Sequence, residues 1–163
     1  MAGGLLDELY RRAVVRFCRA YLGSSEEAED AAQEVFYRVL RATEVPDNFR
    51  AWLYRIARNY CTSVLRKRAR RRDQRDIPEA SHVAQEATGY LTRVVKQELQ
   101  SRVVHLIEAL PQTQRESIFL RYGEELSRSE IAYVLDIPES TVKSRLFQGL
   151  KKLREHTSLL GEH

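Results

Sequence analysis

The sequence predicts an all-α protein: two small helical domains joined by a flexible linker. Apolar residues recur at helical spacing along most of the chain, and no stretch alternates with the period of two expected of a half-buried strand. Seven Gly and four Pro among 163 residues are too few for a turn-rich all-β chain, whereas the good helix formers Arg, Leu, Glu and Ala abound. The periodicity lapses once, from about Asp73 to Gly89, and then resumes.

In chain order, Leu6, Leu9, Tyr10, Ala13, Val14, Phe17 and Tyr21 mark a first helix that Gly23 stops. Ser24 with Glu27 three residues on has the form of a capping box and opens a second helix, expected to bury Ala28, Ala31, Ala32, Val35, Val39 and Leu40. Val45-Pro46-Asp47-Asn48 breaks that pattern, because proline restricts the residue before it and Asp and Asn favour turns. A third helix follows, with Trp52, Leu53, Ile56, Ala57, Tyr60, Val64 and Leu65 along one stripe. It runs into Arg66-Lys67-Arg68-Ala69-Arg70-Arg71-Arg72 and is expected to carry those cations as its end. Residues 77–89, with Pro78 and no apolar stripe, read as an exposed tether that spans at most roughly 40 Å at ~3.3 Å per residue.

Beyond it, Leu91 to Leu110 predicts a long helix ending at Pro111, and a short one carries Ile118, Phe119 and Leu120. Ser127 and Glu130 form a second capping box for a helix ending at Leu135. Asp136-Ile137-Pro138 makes a turn, and Glu139 opens a final helix with the stripe Val142, Leu146, Leu150 and Leu153. The expected division is therefore 1–75, a linker 76–89, and 90–163.

With 43% apolar and 31% charged residues the composition is that of a soluble, foldable chain. Apolar stretches fall well short of the ~18 residues of a membrane span, and no apolar segment after Met1 suits a secretory signal, so a cytoplasmic protein without membrane insertion is expected. Cys18 and Cys61 have no CxxC or clustered His beside them, which points to reduced thiols rather than a disulfide framework or zinc site. The net charge of +4 is unevenly placed: residues 1–75 carry 16 Lys/Arg against 10 Asp/Glu, whereas 105–163 carry 8 against 9. Six of the seven residues 66–72 are cationic. Such a block is either a solvated helix end or a surface for a polyanion, and its density favours nucleic acid.

Leu126 to Leu150 has the proportions of a helix-turn-helix, whose second helix lies in the major groove. With Val142, Leu146 and Leu150 inward, Ser140, Thr141, Lys143, Ser144, Phe147, Gln148 and Lys151 are left outward or flanking. Lys and Gln can bond base edges, hydroxyls can bond base or phosphate, and Phe can meet a thymine methyl, while Arg145, Lys151, Lys152 and Arg154 can neutralise phosphates. An ordinary helical hairpin is the alternative, and Asp136 has to adopt the left-handed conformation because the turn lacks glycine. Trp52 to Tyr60 interleaves aromatics with Arg and Asn, which suits either stacking on unpaired bases or simple core packing. Glu26 to Glu34 holds five carboxylates in nine residues, either a solvated helix start or an acidic docking face. No GxGxxG, Walker loop, HExxH, GxSxG or paired Cys/His motif occurs, and His82, His105, His156 and His163 are scattered. No catalytic residues, metal or cofactor are expected, and the chain reads as non-enzymatic.

Together these pieces resemble the extracytoplasmic-function sigma factors, small two-domain initiation subunits of bacterial RNA polymerase. Three blocks carry the likeness: Ala28 to Phe36, Phe49 to Asn59, and Leu110-Pro111 through Leu153. The resemblance implies that residues 1–75 form sigma region 2, docking on the clamp helices of the largest polymerase subunit through Asp30, Gln33 and Glu34. It implies that Asp47, Asn48, Phe49, Trp52, Arg58 and Asn59, with Arg66, Lys67 and Arg68, capture the melted −10 element, where a flipped base must be stacked and hydrogen-bonded. Residues 90–163 are then region 4, reading the −35 element, with Arg121 on the DNA backbone and Lys143, Ser144, Phe147 and Gln148 on the recognition helix. Core polymerase, promoter DNA and a cognate anti-sigma factor are the implied partners. A stand-alone helix-turn-helix regulator is the rival, but it needs neither the acidic block nor the Trp52–Asn59 segment. Glu124-Glu125 departs from an Asp-Gly-like turn, Thr62-Ser63 stands where Asp is frequent, and Gln148 where Arg is common.

Overall fold

The computed structural model describes residues 2–75, 106–107 and 109–160. The tether at 77–89 lies outside the described residues, as does the helix expected from Leu91, apart from its last residues: 106–107 are helical and Leu110 is buried. The chain divides into two compact units, Met1–Arg93 and Val94–His163. All regular elements among the described residues are helical.

In the first unit α1 (Ala2–Leu22), α2 (Ser25–Arg41) and α3 (Phe49–Arg75) pack as a bundle in which each helix touches the other two. The core is Val14, Phe17, Cys18, Tyr21 and Leu22 from α1, Ala28, Ala31, Ala32, Val35, Phe36 and Val39 from α2, and Ala51, Leu53, Tyr54, Ala57 and Cys61 from α3. Phe17 is fully buried, its ring edge-on to Tyr21 and to Tyr54, each at a centroid distance of 5.1 Å. Leu9 and Leu40, both expected inside, are 70% and 62% exposed. Leu40 lies about 100° round the helix from the buried Val39 and falls in the last turn of α2 on the exposed row of Gln33 and Tyr37. The buried face of α3 runs through Ala51, Leu53, Tyr54, Ala57 and Cys61, leaving Trp52, Ile56, Tyr60, Val64 and Leu65 half-buried.

Gly23 ends α1 at φ 82°, its N–H donating to the Arg19 carbonyl at 2.8 Å. Ser24 caps α2 by accepting from the Glu27 N–H at 3.4 Å, while the Glu27 carboxylate pairs with Arg68 of α3. The cap of α3 is Asn48, whose Oδ1 accepts from the Ala51 N–H at 3.1 Å.

Cys18 and Cys61 are both fully buried free thiols. The hydrogen bond with the Cys18 thiol, together with burial, pushes the Cys61 thiol far above its ordinary range. The thiolate is the reactive form, so Cys61 should resist modification, and burial keeps reagents away from both thiols in the folded protein. Titration with a disulfide reagent is expected to count no thiol under native conditions and two in denaturant; rapid native reaction of either would show that the α1–α3 contact opens.

The second unit comprises α4 (Gln112–Ile118), a π-helical turn (Phe119–Gly123), α5 (Arg128–Leu135) and α6 (Glu139–Leu160). Leu110, Ile118, Phe119, Leu120, Leu126, Ile131, Val134, Leu135, Val142 and Leu146 form its core. The short helix expected at Ile118–Leu120 is thus the junction where α4 widens into the π turn. Glu125, the second residue of the Glu-Glu pair, adopts a left-handed φ of 59°, a conformation that favours glycine. α5 opens with a complete capping box: Glu130 N–H donates to Ser127 Oγ at 3.1 Å, and Ser127 N–H to Glu130 Oε1 at 2.9 Å. It closes on Asp136 at φ 54°, ψ 52°, the left-handed residue the glycine-free turn requires.

Candidate nucleic-acid interface

α5, the Asp136–Pro138 turn and α6 form a helix-turn-helix held by Ile131, Val134 and Leu135 on one side and Val142 and Leu146 on the other. Leu150 and Leu153, expected to extend that stripe inward, are half-buried. On the opposite face of α6, Ser140, Lys143, Ser144, Phe147, Gln148 and Lys151 are exposed, and Thr141 and Arg145 flank them half-buried. Their spacing places hydroxyls, a carboxamide, ammonium groups and a largely exposed aromatic ring on neighbouring rows of one helix, which is donor and acceptor chemistry suited to base edges.

Arg121 is exposed on the π turn, with one guanidinium N–H donating to the Leu126 carbonyl at 2.9 Å. That bond engages one tip of the side chain's planar fork, which carries five donors in all. Gln148 is tied in a different way: its Oε1 accepts from Gln114 Nε2 of α4 at 3.4 Å. Sequence reasoning missed Gln114, for periodicity ranks a Gln in a short helix as surface, whereas Gln114 is buried.

In the first unit, Asp47 and Asn48 are exposed at the entry to α3. Phe49 follows, edge-on to Trp52 at 5.9 Å and to Tyr10 of α1 at 5.3 Å, so three aromatic rings gather there, all half-buried. Further along α3, Arg58 is half-buried and Asn59 exposed. Thr62 Oγ1 donates back to the Arg58 and Asn59 carbonyls at 2.9 and 3.1 Å, and Ser63 Oγ to the Tyr60 carbonyl at 2.7 Å. Arg66, Lys67, Arg70 and Arg71 are exposed, whereas Arg68 is engaged by Glu27.

The acidic stretch of α2 is partly neutralised within the unit. Glu29 pairs with Arg11 at 2.8 Å, Glu34 with Arg38 at 3.1 Å, and Glu27 with Arg68. Arg38 also lies over the Tyr60 ring at 5.1 Å, and burial, then the Glu34 carboxylate, raise the Tyr60 hydroxyl above its usual pKa. Asp30 and Gln33 are exposed, and with the exposed Tyr37 and Leu40 they form one stripe along the outer side of α2. Reading only the charges of this helix overlooks those two apolar members.

Two segments match families: residues 6–71 match Sigma-70 region 2, and residues 100–153 match Sigma-70 region 4. The ECF RNA polymerase sigma factor SigW of Bacillus subtilis is 32% identical over 158 residues, covering 91% of this chain and 84% of that one. The ECF RNA polymerase sigma-E factor of Escherichia coli K12 is 33% identical over 157 residues, covering 90% and 82%. The fold is shared with the sigma factor RpoE of Bartonella quintana, solved in complex with the anti-sigma factor NepR (TM-score 0.67, 23% identity, 91% and 92% covered). It also matches CnrH, solved with the cytosolic domain of CnrY (TM-score 0.63, 25% identity, 97% and 88% covered). None of the described helices is long and apolar enough to cross a membrane.

Proposed function

This chain belongs to the sigma-70 family, among the extracytoplasmic-function sigma factors, and on that premise we propose how its two units divide the work of starting transcription. It is an alternative sigma factor: it binds core RNA polymerase and directs it to specific promoters. Members of this family are non-enzymatic regulators, and the chain acts by binding alone, in the cytoplasm where core polymerase works.

Residues 1–75 dock on the clamp helices of the largest polymerase subunit and hold the melted −10 element; residues 90–163 read −35; 76–89 link them. Docking falls to the outer stripe of α2, where Asp30, Gln33 and Glu34 supply polar contacts and Tyr37 and Leu40 the apolar area that anchors protein interfaces. Asp47, Asn48, Phe49 and Trp52 surround the place of a flipped base, with Arg58 and Asn59 beside it. Arg66 and Lys67, with Arg68 braced by Glu27, draw in the DNA backbone. On the second unit Arg121 and Lys151 reach phosphate, and Ser140, Thr141, Lys143, Ser144, Arg145, Phe147 and Gln148 face the major groove. The observation that carries this reading is the pairing of an exposed polar face on α6 with an aromatic and cationic α3 in one short chain. A cognate anti-sigma factor is the remaining partner in this reading, since the sigma factor RpoE, which shares this fold, was solved in complex with the anti-sigma factor NepR.

The test is run-off transcription with bacterial core polymerase, with and without this protein, on duplex and on pre-melted promoters. The wild-type chain is expected to set the start site. Asn59→Ala is expected to slow opening of duplex promoters about tenfold, the value of one lost buried hydrogen bond, while leaving pre-melted templates nearly unaffected. An unchanged start-site choice sinks the reading as a whole; an equal loss on both templates removes only Asn59 from the bubble.

A further inference from the structure

We propose that Gln114 is a positioning residue for promoter selectivity: it sets which end of the Gln148 carboxamide faces DNA. The proposal deepens the reading of α6 as the −35 reader and rests on it.

Gln114 lies in α4, outside the helix-turn-helix, and is 7% exposed. Its Nε2 donates to Gln148 Oε1 at 3.4 Å, and its own buried Oε1 has no partner among the described residues. The opposite arrangement, with both amides turned over, would pair Gln114 Oε1 and strand its buried NH₂ group. A buried unpaired N–H is rarer than an under-used oxygen, so the arrangement with the orphaned oxygen is the favoured one. The two helices meet closely at this point. A Cβ on Gly149, next to Gln148, would stand 2.6 Å from Ile118 Cδ1 and 3.5 Å from Gln114 Cβ, so any larger residue there has to displace the Ile118 δ-methyl.

With Oε1 turned toward α4, Gln148 offers its NH₂ group outward and acts as a donor. A free glutamine pairs with adenine through both amide ends, accepting from N6 and donating to N7. A glutamine held by its oxygen favours a base whose groove edge offers acceptors, and guanine, with N7 and O6, offers two.

The experiment selects duplexes with a randomised −35 element by binding to holoenzyme made from core polymerase and the full chain. The wild type is expected to enrich guanine at one position, and Gln148→Ala to flatten that position. Gln114→Leu, which keeps the bulk and removes the tie, is expected to lower the guanine-over-adenine preference there about tenfold, within the range of one base contact. It should change nothing further in the Gln148→Ala background. Gln114→Glu can only accept once ionised, so above the pH at which that carboxyl loses its proton it is expected to turn the Gln148 amide over and shift enrichment toward adenine or cytosine, whose edges donate. Gln114 as mere packing would weaken all sequences equally, and to the same extent without Gln148; either result overturns the proposal. A profile that Gln148→Ala leaves untouched overturns the −35 assignment of Gln148 as well, which separates the two failures.

Discussion

Phe17→Ala is expected to destabilise the first unit by about 3–5 kcal/mol, the usual range for emptying a buried phenylalanine site. The ring is fully buried at the centre of a three-helix bundle and meets both Tyr21 and Tyr54 edge-on, so the substitution removes two aromatic contacts along with apolar area. Small domains hold only about 5–15 kcal/mol in all, so a large share of the unit's stability goes with this one side chain. Trp52 is the chain's single tryptophan and sits in this unit beside Phe49, so its fluorescence during urea unfolding follows the first unit. Leu9→Ala on the same helix is the control: Leu9 is 70% exposed, and a change within about 0.5 kcal/mol is expected. Equal effects of the two substitutions would mean that the α1 face has been assigned wrongly.

Lys143→Ala is expected to relax −35 selectivity by about 1–3 kcal/mol, roughly five- to 150-fold in the ratio of preferred to altered promoter. Lys143 is exposed on the outward side of α6, one turn before Phe147, where no described helix of its own unit covers it. Salt dependence distinguishes base reading from phosphate binding. A base contact leaves the slope of log affinity against log salt nearly constant and affects promoters unequally. A phosphate contact lowers affinity uniformly and reduces that slope by about one. Holoenzyme binding to two promoters across a salt series measures both quantities, and uniform loss with a shallower slope would assign Lys143 to the backbone.

The helix-turn-helix was legible in the sequence because its signals are local. Ser127 and Glu130 stand three apart and close a capping box, and Asp136 had to turn left-handed for want of a glycine. The interruption at Pro46 and the extension of α3 through the arginine run were legible for the same reason. What escaped depends on packing. Periodicity placed Leu53 and Ala57 of α3 in the core correctly, but it added the half-buried Trp52, Ile56 and Tyr60 and left out Ala51, Tyr54 and Cys61, on which the bundle also closes. Leu40 counted as core on hydropathy alone, although Val39 and Phe36 already occupy that face. In the candidate site, the outward row of α6 followed from its inward stripe. The π turn beneath Arg121, the pairing of Arg68 with Glu27, and Gln114 behind Gln148 did not, since each depends on residues that only tertiary structure brings together. Asn48 was open to reading as a helix cap, standing as it does immediately before α3.

The tie from α4 to Gln148 also bears on how such a protein changes its targets over generations. Lys143, Ser144 and Phe147 are exposed, so under the reading proposed for α6 each can be exchanged singly while the scaffold beneath is undisturbed. Gln148 is different, because its meaning is written jointly with a second position more than thirty residues upstream. Drift at that hidden site would alter the regulon without touching any residue that meets DNA, and a new letter at 148 would arrive intact only with a compensating change at 114.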